Sequence, residues 1–153
     1  MSSSVENVIR RYRYNKIKQL LNHRTAVSFS NSREWALQMT PSAGVYTIFE
    51  DENLVYIGES GCIRERMGDL LDTRNHSLRR HLGETLYSNT SGYHKATTKQ
   101  KYPNNIEKRL NRYMVQHLKI KPVVVPFGRK EIEEAIVETQ KPIFNIKSKR
   151  RED

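Results

Sequence analysis

Hydrophobic positions along the chain change their spacing repeatedly, and each change predicts a different element. Between residues 3 and 22, Val5, Val8, Ile9, Tyr12, Ile17, Leu20 and Leu21 recur mostly at three- and four-residue steps, with Arg10, Arg11, Arg13 and Lys18 elsewhere. That pattern predicts an amphipathic helix, and Ser3 with Glu6 has the spacing of a capping box at its start. The stretch "NSREWALQM" repeats the signal in brief: Asn31 and Glu34 share the capping spacing, Trp35 is a large apolar anchor, and Pro41 ends the helix. The pattern then tightens. "GVYTIF" (44–49) and "LVYIG" (54–58) are rich in β-branched and aromatic residues, and the acidic "EDEN" between them has turn composition, so the pair predicts an antiparallel hairpin.

Helical spacing returns at Ile63, Met67, Leu70 and Leu71, and again in "NHSLRRHLGETLY", which Gly83 is expected to stop or kink. Residues 88–105 are polar, basic and turn-rich and predict a loop. A helix follows through Ile106, Leu110, Tyr113, Met114 and Leu118, then a third strand at "KPVVVPF" and a last helix at "RKEIEEAIVETQ", broken before Pro142. The tail "KSKRRED" reads as disordered, and no internal repeat is present.

A length of 153 residues fits one ordinary domain, and 36% hydrophobic with 29% charged residues suits a soluble globular chain. No apolar run approaches the roughly 20 residues that span a bilayer, and "MSSSVENVIRRYRYNK" lacks the apolar core of a secretion signal, so a cytoplasmic location with no membrane partner is expected. A lone cysteine, Cys62, precludes an internal disulfide or a cysteine-rich zinc site and reads as a packed thiol.

The net charge of +10 is unevenly placed. Residues 1–40 carry seven basic and two acidic side chains, residues 41–90 five and eight, and residues 91–153 fifteen and seven. The tyrosine-bearing hairpin lies in the one acidic part, between flanks suited to a polyanion, and its neighbourhood leaves carboxylates for a metal ion. Tyr93–Lys121 holds eight Lys/Arg against one acid, Glu107, with Tyr93, Tyr102 and Tyr113 interleaved. It is the expected nucleic-acid contact, through Lys95, Lys99, Lys101, Lys108, Arg109 and Arg112, with Arg64 and Arg74 nearby and the N-terminal helix second. A merely solvated basic face explains the same composition.

Candidate chemistry centres on the hairpin. Side chains two residues apart share a strand face, so Tyr46 and Tyr56 reach one surface if the register allows it, while Gly44 and Gly58 leave room for a backbone or a ligand. Arg66 falls at the edge of an apolar helical face, where its guanidinium can lean over the hairpin. On the last helix Glu133 falls inside the apolar arc, between Ile136 and Val137, with Glu134 and Glu138 on the polar side. An inward carboxylate costs several kcal/mol unless paired or metal-bound. Its partner is either Arg66 or a divalent cation.

These elements together resemble the GIY-YIG nuclease superfamily: "GVY", "YIG", an arginine ten positions after the second tyrosine, and "EEAIVETQKPIFN", with its Glu-x-x-apolar-apolar run ending in Pro-x-x-Asn. The resemblance covers about residues 43–147. It implies an α+β fold with a small three-stranded antiparallel sheet flanked by helices, in agreement with the three strands read above. The organisation expected is an N-terminal helical extension (1–40), a nuclease domain (41–147) with a basic insertion at 88–121, and a basic tail (148–153). The activity implied is metal-dependent endonuclease cleavage of DNA, double-stranded DNA being the expected substrate, with one Mg²⁺ or Mn²⁺ per site and 5′-phosphate and 3′-hydroxyl ends. One centre acts on one strand at a time, so a double-strand break requires a homodimer or sequential action.

On this reading Glu133 holds the metal, Arg66 binds the scissile phosphate, and Tyr46 accepts a proton or positions the water. Tyr56 orients the nucleophile or phosphate, and Asn145 fixes the end of the Glu133 helix. The chain departs from the family pattern in three places. Val45 replaces isoleucine with little change of shape. Glu59 stands where many relatives carry lysine, a cation that Arg64, Arg74 or Lys95 is then expected to supply. Leu70 occupies the position where some relatives have histidine, leaving His76 either as a substitute proton acceptor or as a helix-start residue contacting phosphate or water. A binding module without turnover is the alternative.

Overall fold

A computed structural model describes residues 2–145; the expected tail, residues 148–153, lies outside that range. Helix α1 (Ser2–Leu20) leads through a 3₁₀ turn (His23–Thr25) into a two-residue strand β1 (Val27–Ser28) and a short helix α2 (Arg33–Leu37). The hairpin follows as β2 (Gly44–Glu50) and β3 (Asn53–Ser60), then α3 (Ile63–Asp69), α4 (Ser77–Tyr87), α5 (Asn104–His117), β4 (Leu118–Val124) and α6 (Arg129–Gln140). The strands form one antiparallel sheet in the order β1-β4-β2-β3, which leaves β3 at an edge.

The α+β class and the hairpin stand as expected, but the sheet has four strands among the described residues rather than three. The extra strand lies in the segment expected to be helical alone. Val27 and Ser28 pair with Ile120 and Lys119, and two residues are too few to show any alternation in sequence. The later strand also begins at Leu118 rather than Lys121, because α5 runs directly into it. Ser32, not Asn31, caps α2, accepting a hydrogen bond from the Trp35 amide at 3.2 Å. Helix α4 passes through Gly83 unbroken, since the Tyr102 ring occupies the space a Cβ would need there.

Alternation along the strands divides the core in two. Tyr46, Ile48 and Tyr56 point to one face with Ile63, Leu78, Leu82, Ile106, Leu110 and Met114, beneath α3, α4 and α5. Val45, Ile57 and Val123 point to the other with Leu20, Ile132 and Ile136, beneath α1 and α6. Only the C-terminal part of α1 packs: Leu20 is buried and Tyr12, Ile17 and Leu21 adjoin the core, but Val5, Val8 and Ile9 are exposed. No helix among the described residues is long and apolar enough to cross a membrane.

Candidate active site

Strand register decides whether the two tyrosines meet. Tyr46 lies opposite Gly58 and Tyr56 opposite Ile48, so both side chains leave the same face, with ring centroids 6.0 Å apart. The glycines have distinct tasks. A side chain at Gly44 would strike the Val123 carbonyl of β4, so this glycine admits a backbone. A Cβ at Gly58 would lie 2.5 Å from the Tyr46 Oη and 2.6 Å from its Cζ, so that glycine admits the tyrosine ring itself.

The Tyr46 oxygen is the hub of a hydrogen-bonded group. Arg66, on α3, donates its Nε–H to that oxygen at 3.2 Å, while its Nη1 reaches the Asp69 carboxylate and the Asn75 carbonyl, both at 3.1 Å. Its Nη2 has no hydrogen bond among the described residues, and the side chain is 27% exposed. A guanidinium held by two of its nitrogens and open at the third is oriented to bind an oxyanion. His76 caps α4: its Nδ1 accepts the Leu78 amide hydrogen at 3.1 Å, and its Nε2 lies 2.9 Å from the Tyr46 oxygen. Burial and the charges of Arg66, Arg80 and Arg79 press its pKa well below the ordinary imidazole value. A neutral ring whose Nδ1 accepts must carry its proton on Nε2, so His76 donates to Tyr46. His76 thus stands at the start of α4, as one of the two expectations had it, and meets Tyr46 rather than solvent.

Tyr46 is fully buried. Burial, reinforced by Tyr56, lifts its pKa well above the ordinary phenol value against the opposing pull of Arg66, so in this environment it is a phenol. Arg66 alone does not turn it into a phenolate. Adding a methyl at Gly58 tests how tightly the hub is packed. Gly58→Ala is expected to cost about 1–3 kcal/mol, because Tyr46 is held on its far side by His76 and Arg66 and cannot withdraw. Thermal unfolding measures this, and an unchanged midpoint would show that the ring can move.

Glu133 lies in the first turns of α6, half-buried on the flank of the Ile132–Ile136 stripe. Its carboxyl is pushed up to about 7, first by burial, then by Glu59 and Glu134, with Lys130 opposing. No hydrogen bond or ion pair reaches it among the described residues, whereas Arg66 is bound to Tyr46, Asp69 and Asn75. The structural alternative of an Arg66–Glu133 pair is therefore not what the fold forms. Glu59 has its own cation: Arg129 donates Nε–H to it at 2.8 Å, across 70 positions of sequence. Arg64 is turned to the Met39 carbonyl and Arg74 to Asp72, and the cation beside Glu59 is Arg129, a residue that the sequence pattern did not single out. Asn145 follows α6 and lies against the edge of β3, accepting from the Ile57 amide and donating to the Ile57 carbonyl, both at 2.8 Å.

One buried ion pair also escaped the sequence reading. Arg79, 1% exposed, binds Glu107 at 2.9 Å, Asn111 at 2.8 Å, Thr73 at 3.0 Å and the Leu70 carbonyl at 3.1 Å. Glu107 also accepts from Thr73 and from the Tyr102 amide. This network ties α5 and the loop before it to the 70–76 segment that carries Asn75 and His76.

Tyr46, Tyr56, Arg66 and His76 come together on one face of the small antiparallel sheet, while Glu133 stands on α6, whose apolar side covers the other face. Residues 26–152 match the family model of the GIY-YIG catalytic domain, and the chain belongs to that family; it is an endonuclease of GIY-YIG type. Among solved structures it is similar to the GIY-YIG N-terminal endonuclease domain of UvrC from Thermotoga maritima, in two point mutants bound to the catalytic divalent cation. Each is 14% identical, with 73% of this chain and 91% of that chain covered, and the TM-scores are 0.43 and 0.41. No curated protein matches the chain.

Proposed function

We propose that the protein hydrolyses phosphodiester bonds in DNA with one divalent cation, Mg²⁺ or Mn²⁺, held by Glu133. The observation that carries this reading is the half-buried carboxylate of Glu133, which has no hydrogen-bond or ion-pair partner among the described residues and whose pKa is pushed up to about 7 by burial and by Glu59 and Glu134. A hard divalent ion that takes few protein ligands suits that donor. Bound there, it would supply positive charge to phosphate oxygens and to the leaving alkoxide.

The remaining work falls to the chain's own side chains. Arg66 binds a phosphate oxygen through its open Nη2. Tyr56, at 8% exposure the less sealed phenol, faces the attacking water. Tyr46 and His76 act from behind it: the Tyr46 ring lies beside that of Tyr56, and His76 and Arg66 hold the Tyr46 oxygen in place. Asn145 secures the segment after α6 to the sheet. The exposed Lys95, Lys99, Lys101 and Lys108 receive the DNA backbone, Arg109 and Arg112 face the duplex beside them, and the more engaged Arg64 and Arg74 lie at the margin. Residues 41–147 are assigned as the nuclease unit and 88–121 as its DNA-contact segment. The lone thiol of Cys62 suits a reducing, cytoplasmic setting.

Supercoiled plasmid incubated with the protein and Mg²⁺ or Mn²⁺ is expected to be nicked or linearised, and EDTA to stop the reaction. Salt-sensitive DNA binding with no cleavage under any divalent ion would instead leave a binding module.

Titration of Glu133 predicts a pH dependence. The ion competes with a proton, so Mn²⁺ affinity measured by calorimetry should rise about tenfold per pH unit up to about 7 and then level off. In the metal-free protein the sign is opposite for stability. The folded carboxyl binds its proton more tightly than the unfolded one, so this contribution is full at low pH and declines as pH climbs through about 7. A flat affinity profile would remove Glu133 from the site.

A further inference from the structure

Helix α5 presents one uninterrupted line of hydrogen-bonding side chains to solvent. Asn105, Arg109, Arg112 and Gln116 are all exposed, and at 100° per residue they fall within an arc of roughly 60°. Ile106, Leu110 and Met114 hold the opposite side in the core. Lys108 flanks the line. The helix's single acid, Glu107, is turned away and neutralised by Arg79, so nothing on the outward line repels a polyanion. Arg109 is held over the Tyr87 ring with its guanidinium 4.8 Å from the ring centre, and Tyr87, Arg109, Arg112, Tyr113 and Gln116 together frame a shallow notch.

The side-chain types are informative in themselves. Phosphate contact needs only cations, whereas two arginines bracketed by two carboxamides are the groups that pair with guanine and adenine edges. An α-helix about 10–12 Å across also matches the roughly 12 Å major groove of B-form DNA, and 14 residues span about 21 Å. At the helix C-terminus an acidic limit appears. Tyr113 donates to Glu50 at 2.7 Å and His117 lies 3.1 Å from Asp51, so the duplex is directed across the N-terminal and middle turns, towards Lys101.

We propose that α5 enters the major groove of duplex DNA and reads base edges through Asn105, Arg109, Arg112 and Gln116. This rests on the DNA-directed reading above and adds that cutting is sequence-selective. Because the Arg79–Glu107–Thr73 network joins α5 to the segment bearing Asn75 and His76, the bases read and the bond cut stand at a fixed offset.

The test separates this proposal from the cleavage reading by working without catalysis. The full chain in EDTA is used to select from a random-sequence DNA duplex library. A motif with defined purine positions is expected. Arg112→Ala and Gln116→Ala should each weaken binding to the selected duplex about 5- to 100-fold, relax the motif at one position, and change affinity for random duplex less than about threefold. Lys95→Ala and Lys99→Ala should weaken both duplexes alike and lower the salt dependence. The proposal is overturned if selection yields no motif, if the α5 variants weaken both duplexes equally, or if an A-form RNA duplex, whose major groove is too narrow to admit the helix, binds as well as DNA. Cleavage of plasmid that persists alongside a failed selection would sink base reading and leave the nuclease intact.

Discussion

Glu133→Gln is expected to lower Mg²⁺-dependent DNA cleavage by about 100-fold or more while leaving the thermal midpoint unchanged or slightly higher. The loss follows because an amide is a poor ligand for a hard cation, and the positive charge opposing the phosphate goes with it. Stability is retained because no hydrogen bond or ion pair to Glu133 is broken among the described residues, and because an ionised carboxylate at a site that pushes its pKa to about 7 opposes folding at higher pH. This combination sets a functional carboxylate apart from a structural one, whose removal would abandon a partner. Arg66→Ala should remove activity to a similar degree but also release Tyr46, Asp69 and the Asn75 carbonyl. Arg66→Lys should not restore it, since an ammonium cannot bond Tyr46 and Asp69 while offering a further donor in the same plane. Initial rates of plasmid nicking alongside thermal unfolding measure both quantities. A Glu133→Gln protein that cuts at the parental rate, or that unfolds many degrees earlier, would defeat the site assignment.

Arg79→Met should be the most destabilising single change, at about 3–5 kcal/mol. Its guanidinium is almost wholly enclosed, and its removal leaves the Glu107 carboxylate, 14% exposed, without a counter-charge. In a chain of this length that corresponds to a midpoint lowered by roughly 6–20 °C. Glu107→Leu alone should cost a similar amount by stranding the arginine. The Arg79→Met, Glu107→Leu double variant should recover only part of the loss, because Thr73 and the Tyr102 amide still lose their acceptor. A loss below 1 kcal/mol for Arg79→Met would show that water reaches this pair freely.

What could be read in advance follows the range of the interactions concerned. Helices and the hairpin are local, and their spacing is visible in any window of ten residues. The shared face of Tyr46 and Tyr56 was legible because strand side chains alternate, and Glu133 because an acid stood out within an apolar arc. Partners were not legible. Arg79 reads as one more surface cation beside Leu78, and the residues that draw it inward are 28 and 32 positions away. Arg129 meets Glu59 across 70 positions, and His76 meets Tyr46 across 30. Half of the apolar face expected of α1 finds no core, since periodicity states which side of a helix is greasy but not whether anything lies beneath it. Strand β1 left no trace because two residues carry no period.

The two hydrogen bonds between Asn145 and Ile57 have a further consequence. Strand β3 closes the sheet on one side, and an open border of peptide groups invites another extended chain to add itself there. A carboxamide offers the same donor and acceptor as a peptide unit, so Asn145 occupies that border as a one-residue surrogate strand. The side chain that steadies the ground beneath Glu133 thereby also guards the molecule against stacking into ribbons with its own copies.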